Sequence, residues 1–432
     1  MVMVDRGRPR PSTFPLHVPW LLWLQFVLTV CCTAHTTLSD DVLRHLPDGS
    51  ADFDIHHGAL LAPILRPRVP GTPGSTAVLN HFVDFFRTTL PQWNVEFQNS
   101  TSTTPVTGDQ EVPFVNLIAT RDPPWAAVGE VERLTLVAHY DSKMKPDGFI
   151  GATDSAAPCA MIMHAARSVD AALTKKWERM QADGIGKDGF GWMEEERGLQ
   201  ILFLDGEEAF LSWTQTDSLS LAETWEHTAH PALSTYHNPL SSISLFVLLD
   251  LLGSSSPSVP SYFRTTHWAY ANMAELESRL RLLDRFHSSP NHPSKRTPPS
   301  SNAHPPYKRA TEPAFLRDKA YSSRTFGIED DHLPFLHRGV DILHLIPSPF
   351  PHVWHDLSDD GEHLDLDTVA DWATLVTAFV ADWLELDSFL DTAATAMEKE
   401  KEKERGNADV KGAKGVRGVQ ARIVPATLFV VE

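Results

Sequence analysis

Four short, almost unbroken apolar runs constrain this chain more than any other feature of it. They are TLVAHY (Thr135–Tyr140), LQILFL (Leu199–Leu204), ISLFVLLD (Ile243–Asp250) and DILHLI (Asp341–Ile346). A strand with one wet face alternates apolar and polar residues, so runs without alternation read as strands covered on both sides. VPFVNLIATR (residues 112–121) reads as an earlier strand, and helical periodicity marks AAPCAMIMHAARSVDAAL (156–173) and TVADWATLVTAFVADWLEL (368–386). Buried strands alternating with long helices predict an α/β fold. We expect one domain, residues 35–392, with a twisted, mostly parallel central β-sheet flanked by helices.

The same runs carry polar residues at their carboxyl ends, where open α/β sheets bind ligands. VAHYDS gives His139 and Asp141; FLDGEEAF gives Asp205, Glu207 and Glu208; LLDLLG gives Asp250; the segment after DILHLI gives His355. Asp154, in GATDSAAP, stands just before a helix. Singly, each has an ordinary explanation: a turn, a solvated face, a hydrogen-bonded core histidine, a helix cap. Collected at successive strand ends, they point to a metal. Zinc takes imidazole nitrogen and carboxylate oxygen in a tetrahedral arrangement, and catalytic sites leave one position open. Asp154, Glu208 and His355 would supply three ligands, and a bend after Gly206 would aim Glu207 at the substrate as a proton carrier.

The formal charge of −19 argues against nucleic acid or an anionic membrane as the main partner. Arg6, Arg8 and Arg10 precede PWLLWLQFVLTVCC, and Ala34 follows as a small residue before a cut, so residues 1–34 read as a secretory signal. The apolar run is short for a bilayer span, which needs ~20 residues. Its two fates are cleavage before His35, giving a secreted protein, or retention as an anchor in the Golgi or endoplasmic-reticulum membrane. Cys31 and Cys32 fall in the leader, leaving Cys159 alone, so the mature chain has no internal disulfide. Asn99, in NST, is a glycosylation acceptor if the chain is exported. His287–Pro313, rich in Pro and Ser without apolar period, reads as a surface insertion, and residues 393–432 as a charged, largely disordered tail.

At AHYDSK, FIGATDSAAPCAMIM, FLDGEEAFLSW, LLDLLGSSSPSVPSYF, DDHLPFLHRGVDILHLIPSPFPHVWH and DDGEHLD, the sequence resembles the animal and fungal glutaminyl-peptide cyclotransferases, relatives of the zinc aminopeptidases. The resemblance spans about residues 40–390. It implies a zinc-aminopeptidase-like single domain, one Zn2+ per chain on Asp154, Glu208 and His355, and Glu207 as general acid/base. It further implies that Asp250 and Asp330 hydrogen-bond in the active site, and that Trp213, Phe350 and Trp354 surround the substrate. Three departures stand out. The family's animal members carry a disulfide whose partners fall on Ala138 and Cys159; the loop after DSK is shortened to MKPDG; the Pro/Ser insertion is longer.

The implied enzyme is a zinc-dependent acyltransferase that closes an N-terminal glutamine into pyroglutamate and releases ammonia. Its partners would be peptides or proteins beginning with glutamine, and we expect a monomer. The rival is a two-zinc aminopeptidase, because His139, Asp154, Glu208, Asp250 and His355 also supply that enzyme's five ligand positions. A metal-free binding protein on the same fold is a third class. EDDHLPF and PSPFPHVWH resemble the cyclase side, and the retention of Glu207 beside every ligand position argues against the binding protein.

Overall fold

The computed structural model describes residues 37–104, 106–184, 196–208, 216–296, 309–318, 320–321 and 328–392. The leader, the tail beyond residue 392, the Pro-rich middle of the insertion and Trp213 lie outside them.

Every apolar run becomes a strand. β1 (Asn94–Thr103), β2 (Glu111–Arg121), β3 (Glu132–His139), β4 (Arg197–Leu204), β5 (Ile243–Leu249) and β6 (Ile342–Leu345) form one six-stranded sheet in the order β1-β2-β4-β3-β5-β6. β3 pairs in parallel with β4 and β5, and β5 with β6. β2 is antiparallel to both β1 and β4, so it alone runs against the other strands. β3 lies inside the sheet, with Leu136 opposite Ile201 on one side and Val247 on the other. The carboxyl ends of β3, β4, β5 and β6 therefore open onto the same rim.

The helices are α1 (Asp40–His45), α2 (Pro73–Thr89), α3 (Ala157–Ala182), α4 (Thr216–His227), α5 (His267–Leu282), α6 (Leu333–Leu336) and α7 (Leu366–Trp383). Because side chains alternate across a strand, the sheet builds two cores. Leu134, Leu136 and Ala138 of β3 join a layer with Phe82, Met161, Met273 and Phe379 of α2, α3, α5 and α7. Val137 joins the opposite layer with Leu221 and Trp225 of α4 and with Phe335. The rings of Phe82 and Phe203 stack 4.2 Å apart, clamping α2 onto β4.

α7 begins at Asp365, whose carboxylate accepts the Thr368 amide at 2.9 Å as an N-cap. It is buried continuously from Thr368 to Asp382. Each fully buried Leu, Val or Phe contributes about 1.5–3 kcal/mol, enough to carry the helix into the core with two carboxylates on it. Both carboxylates are satisfied. Asp371 accepts the amides of His287 and Ser288, and Asp382 accepts the Leu38 amide and the Asn272 side chain.

The expected surface insertion is anchored at both ends. Ser289 and Asn291 are buried. Asn291 exchanges hydrogen bonds with Ala310 at 2.9 and 2.7 Å, and the Ser289 hydroxyl donates to Glu312 at 2.9 Å. Serine and asparagine here are not loop filler; they close the base of the insertion. Among the described residues, no helix is long and apolar enough to cross a membrane.

Candidate metal and proton-transfer site

The rim at the strand ends gathers the polar residues that follow the strands. β3 delivers His139, and Asp141 follows two residues later. Asp141 accepts the backbone amides of Glu207 and Glu208 at 3.2 and 3.0 Å, fixing the corner after β4. Gly206 takes φ +86°, a conformation that disfavours a side chain, and turns the chain at the end of β4 toward the cavity that Glu207 and Glu208 line. Asp154 sits at the entrance to α3, in a segment held by the wholly buried Arg68. That guanidinium donates to the carbonyls of Ile150, Gly151 (2.9 Å) and Asp154 (3.1 Å). Gly151, at φ +63°, is required: a Cβ there would meet the Asp154 carbonyl oxygen at 2.2 Å.

Asp154, Glu208 and His355 bring one ligand atom each within 4.8 Å of one another. His355 Nε2 lies 3.6 Å from both Asp154 Oδ2 and Glu208 Oε2. Ligands about 2.0 Å from a tetrahedral zinc lie about 3.3 Å apart, so the spacing fits a small cation. Glu208 Oε1 is buried with no hydrogen-bond partner among the described residues, as expected of a ligand waiting for a charge. Burial pushes the Glu208 carboxyl well above its usual pKa and the Asp154 charge adds to this; His139 and Lys143, whose Nζ lies 3.4 Å away, only partly offset it. Burial lowers the pKa of His355, which keeps the imidazole neutral, the form that binds metal.

A second set, His139, Asp154 and Asp250, is also within 4.8 Å, but its contacts are internal. His139 Nε2 lies 3.0 Å from Asp154 Oδ1 and 3.4 Å from Asp250 Oδ1, and Nδ1 lies 3.4 Å from Asp141. Burial alone would lower the His139 pKa; these three carboxylates outweigh it and raise it well above the usual value. Asp250 accepts from the Ser155 hydroxyl and the Leu251 amide. A third set, Asp330, His332 and His344, is buried, with His344 Nε2 2.7 Å from Asp330 Oδ2. The other Asp330 oxygen accepts the Asp331 amide.

A cavity of about 310 Å³ opens on this cluster, lined by Glu207, Glu208, Asp154, Asp250, Asp330 and Lys143, with Phe350, Trp354 and Ile346 on its apolar side. Burial raises the Glu207 carboxyl well above its usual pKa, against the pull of His139; Asp330 and Glu208 raise it further. Phe350 and Trp354 meet edge to face at 4.9 Å, and Trp354 stacks on His355 at 4.0 Å.

Residues 116–380 match the model of Peptidase family M28. The glutaminyl-peptide cyclotransferase of Gloydius blomhoffii is 38% identical over 371 residues, 83% of this chain and 86% of that one. That of Boiga irregularis is 37% identical over 335 residues, 76% and 80% of the two chains. The chain belongs to the glutaminyl-peptide cyclotransferases of Peptidase family M28.

A crystal structure of Macrostomum lignano glutaminyl cyclase superimposes with a TM-score of 0.60 at 26% identity, covering 82% of this chain and 96% of that one. A cyclotransferase fold thus carries the cluster. The structure brings Asp154, Glu207, Glu208, Asp250, Asp330, Phe350, Trp354 and His355 to one cavity, while Trp213 falls outside the described residues. Lys143, Arg68 and His344 were not assigned roles from sequence. His344 left a signal, a histidine in the buried run DILHLI; Arg68 left none, because the site carbonyls it holds, on Ile150, Gly151 and Asp154, lie more than eighty residues away.

Proposed function

We propose that this chain is a zinc-dependent glutaminyl-peptide cyclotransferase, an acyltransferase that converts the N-terminal glutamine of peptides and proteins to pyroglutamate. The observation that carries it is the pairing, in one cavity, of a metal-capable triad with the adjacent Glu207. Asp154, Glu208 and His355 would hold one zinc. When bound, zinc supplies Lewis-acid polarisation of the side-chain amide carbonyl.

The chain's own residues do the rest. Glu207 takes a proton from the substrate's α-amine as that nitrogen bonds to the side-chain amide carbon. It then delivers a proton to the departing amide nitrogen, which leaves as ammonia. A carboxyl with a raised pKa suits both directions of transfer near neutral pH. Asp250, fixed by Ser155 and Leu251, and Asp330, fixed by His344, hold their carboxyls in place on the cavity wall, where they would orient the substrate's amine and Glu207. Phe350 and Trp354 would exclude water around the folded-back glutamine, whose ring closure needs mainly proximity.

The two-zinc aminopeptidase reading requires a second cation among His139, Asp154 and Asp250. That set shares Asp154 with the first triad, and its ligand atoms lie 3.0 and 3.4 Å apart, so metal count is the measurement that separates the two readings. We further propose export through the residue 1–34 signal and a monomeric mature enzyme. Mature protein incubated with a glutamine-initiated dipeptide amide should release ammonia and no free amino acid, with about one zinc per chain. Cleavage of leucine-initiated peptides by a two-zinc protein would overturn the proposal.

A further inference from the structure

Beside the catalytic cavity lies a larger cleft of about 550 Å³. Leu251 and Phe350 line both spaces, so the partition between them is a single side chain thick. The cleft floor is rigid. Ser348 donates its amide to the Ser258 carbonyl at 2.7 Å, and Pro347, Pro349 and Pro351 stiffen the rim that carries Phe350.

Two features of its lining point to a peptide. Ser254 lines the cleft, and its hydroxyl is buried with no hydrogen-bond partner among the described residues. A buried hydroxyl left unpaired costs free energy that a ligand's carbonyl or amide would recover. The second is charge. The catalytic cavity is crowded with carboxyls, which suits an amine terminus, whereas the cleft presents Arg317, His352 and His363. Asp365, the one carboxylate of the lining, is committed to capping α7. His363 is paired with Asp360 at 2.7 Å, which leaves Arg317 as the cationic group of the lining.

Resting on the cyclotransferase reading above, we propose that this cleft is the subsite for the residues downstream of the N-terminal glutamine. Arg317 at its rim is the specificity determinant that favours an acidic side chain there. An extended peptide advances about 3.3–3.6 Å per residue, so a chain leaving the catalytic cavity past Phe350 places its third and fourth residues in the cleft. Arg317 is exposed, so its effect is a preference and not a requirement.

The test is a set of tetrapeptide amides beginning Gln-Ala, with Glu, Ala or Lys at positions three and four, compared with the dipeptide amide. The glutamate peptides should be turned over with about three- to tenfold higher kcat/KM than the lysine peptides, a gap that shrinks in high salt. Arg317→Ala should erase the gap and Arg317→Glu should invert it. Ser254→Ala should lower kcat/KM for every tetrapeptide. All three variants should process the dipeptide amide at the wild-type rate, which also reports that they fold. Wild-type turnover indifferent to charge and length, or a preference that survives Arg317→Ala, overturns the subsite alone. No turnover of any peptide, the dipeptide amide included, overturns the cyclotransferase reading and the subsite with it.

Discussion

Arg68, wholly buried, donates a hydrogen bond to the main-chain carbonyl of Asp154 at 3.1 Å, although the two residues are 86 positions apart. Its fork also takes the carbonyls of Ile150 and Gly151, so one guanidinium fixes the backbone from which the candidate ligand projects.

Arg68→Ala should therefore act twice. It leaves buried carbonyls unsatisfied and an uncompensated cluster of Asp141, Asp154 and Asp359 nearby, a loss of about 3–5 kcal/mol by analogy with broken buried charge pairs. It should also weaken retention of zinc. Arg68→Lys keeps the charge but not the fork, so it should recover part of the melting temperature and less of the metal content. Thermal melts with elemental analysis check both.

Glu207 and Glu208 are adjacent in sequence but unequal in place. Glu208→Gln should lower zinc content, because it removes a candidate ligand charge. Glu207→Gln should keep zinc and lower kcat by about two to four orders of magnitude, the usual scale for losing a general acid/base. Equal zinc loss in the two variants would contradict the division of roles.

Acid should expose a different carboxyl. Burial pushes the Asp52 pKa up, but hydrogen bonds from His164 and Arg167 outweigh it and hold the value at about 2. A carboxyl depressed in the folded state contributes stability above its unfolded pKa of about 3.9, and that contribution is lost as pH falls through the folded value. Asp52→Asn should therefore be less stable than wild type at pH 6, with the gap closing between about pH 4 and pH 2. Urea melts across that window measure it; a constant gap would refute the assignment.

Cys159 is wholly buried, its thiol donates to the His139 carbonyl at 3.2 Å, and burial pushes its pKa up to about 12. Thiolate is the reactive form, so alkylating reagents should label the native protein slowly. Cys159→Ala should keep most activity, and reducing agents should leave the melting temperature unchanged. Rapid labelling with loss of turnover would place the thiol in the active crevice.

The inner sheet was legible because its strands are dry on both faces: ISLFVLLD and LQILFL admit no other comfortable burial. β1 was not, because NVEFQNSTST lies at the edge with much of its length in water and offers only Val95 and Phe97 as apolar residues. α2 and α5 carry their apolar residues at helical spacing, Phe82 to Phe86 and Tyr270, Met273, Leu276, Leu280, but between polar stretches that hide the period. The candidate site was legible wherever its residues end a run, as His139 and Asp250 do. Arg68 was not, since what it holds is backbone, and backbone carbonyls have no letter in a sequence.

β1 has one further consequence. Its outer side pairs with no strand among the described residues, over ten residues in which Glu96 is the only charge. Such an edge is a template for a second chain to join and for fibrous association. Asn99 is exposed midway along it, and the acceptor triplet begins there. A sugar tree on Asn99 would stand guard over the bare edge and block a second chain from joining it. The same chain made without glycosylation would carry its own nucleus for self-association.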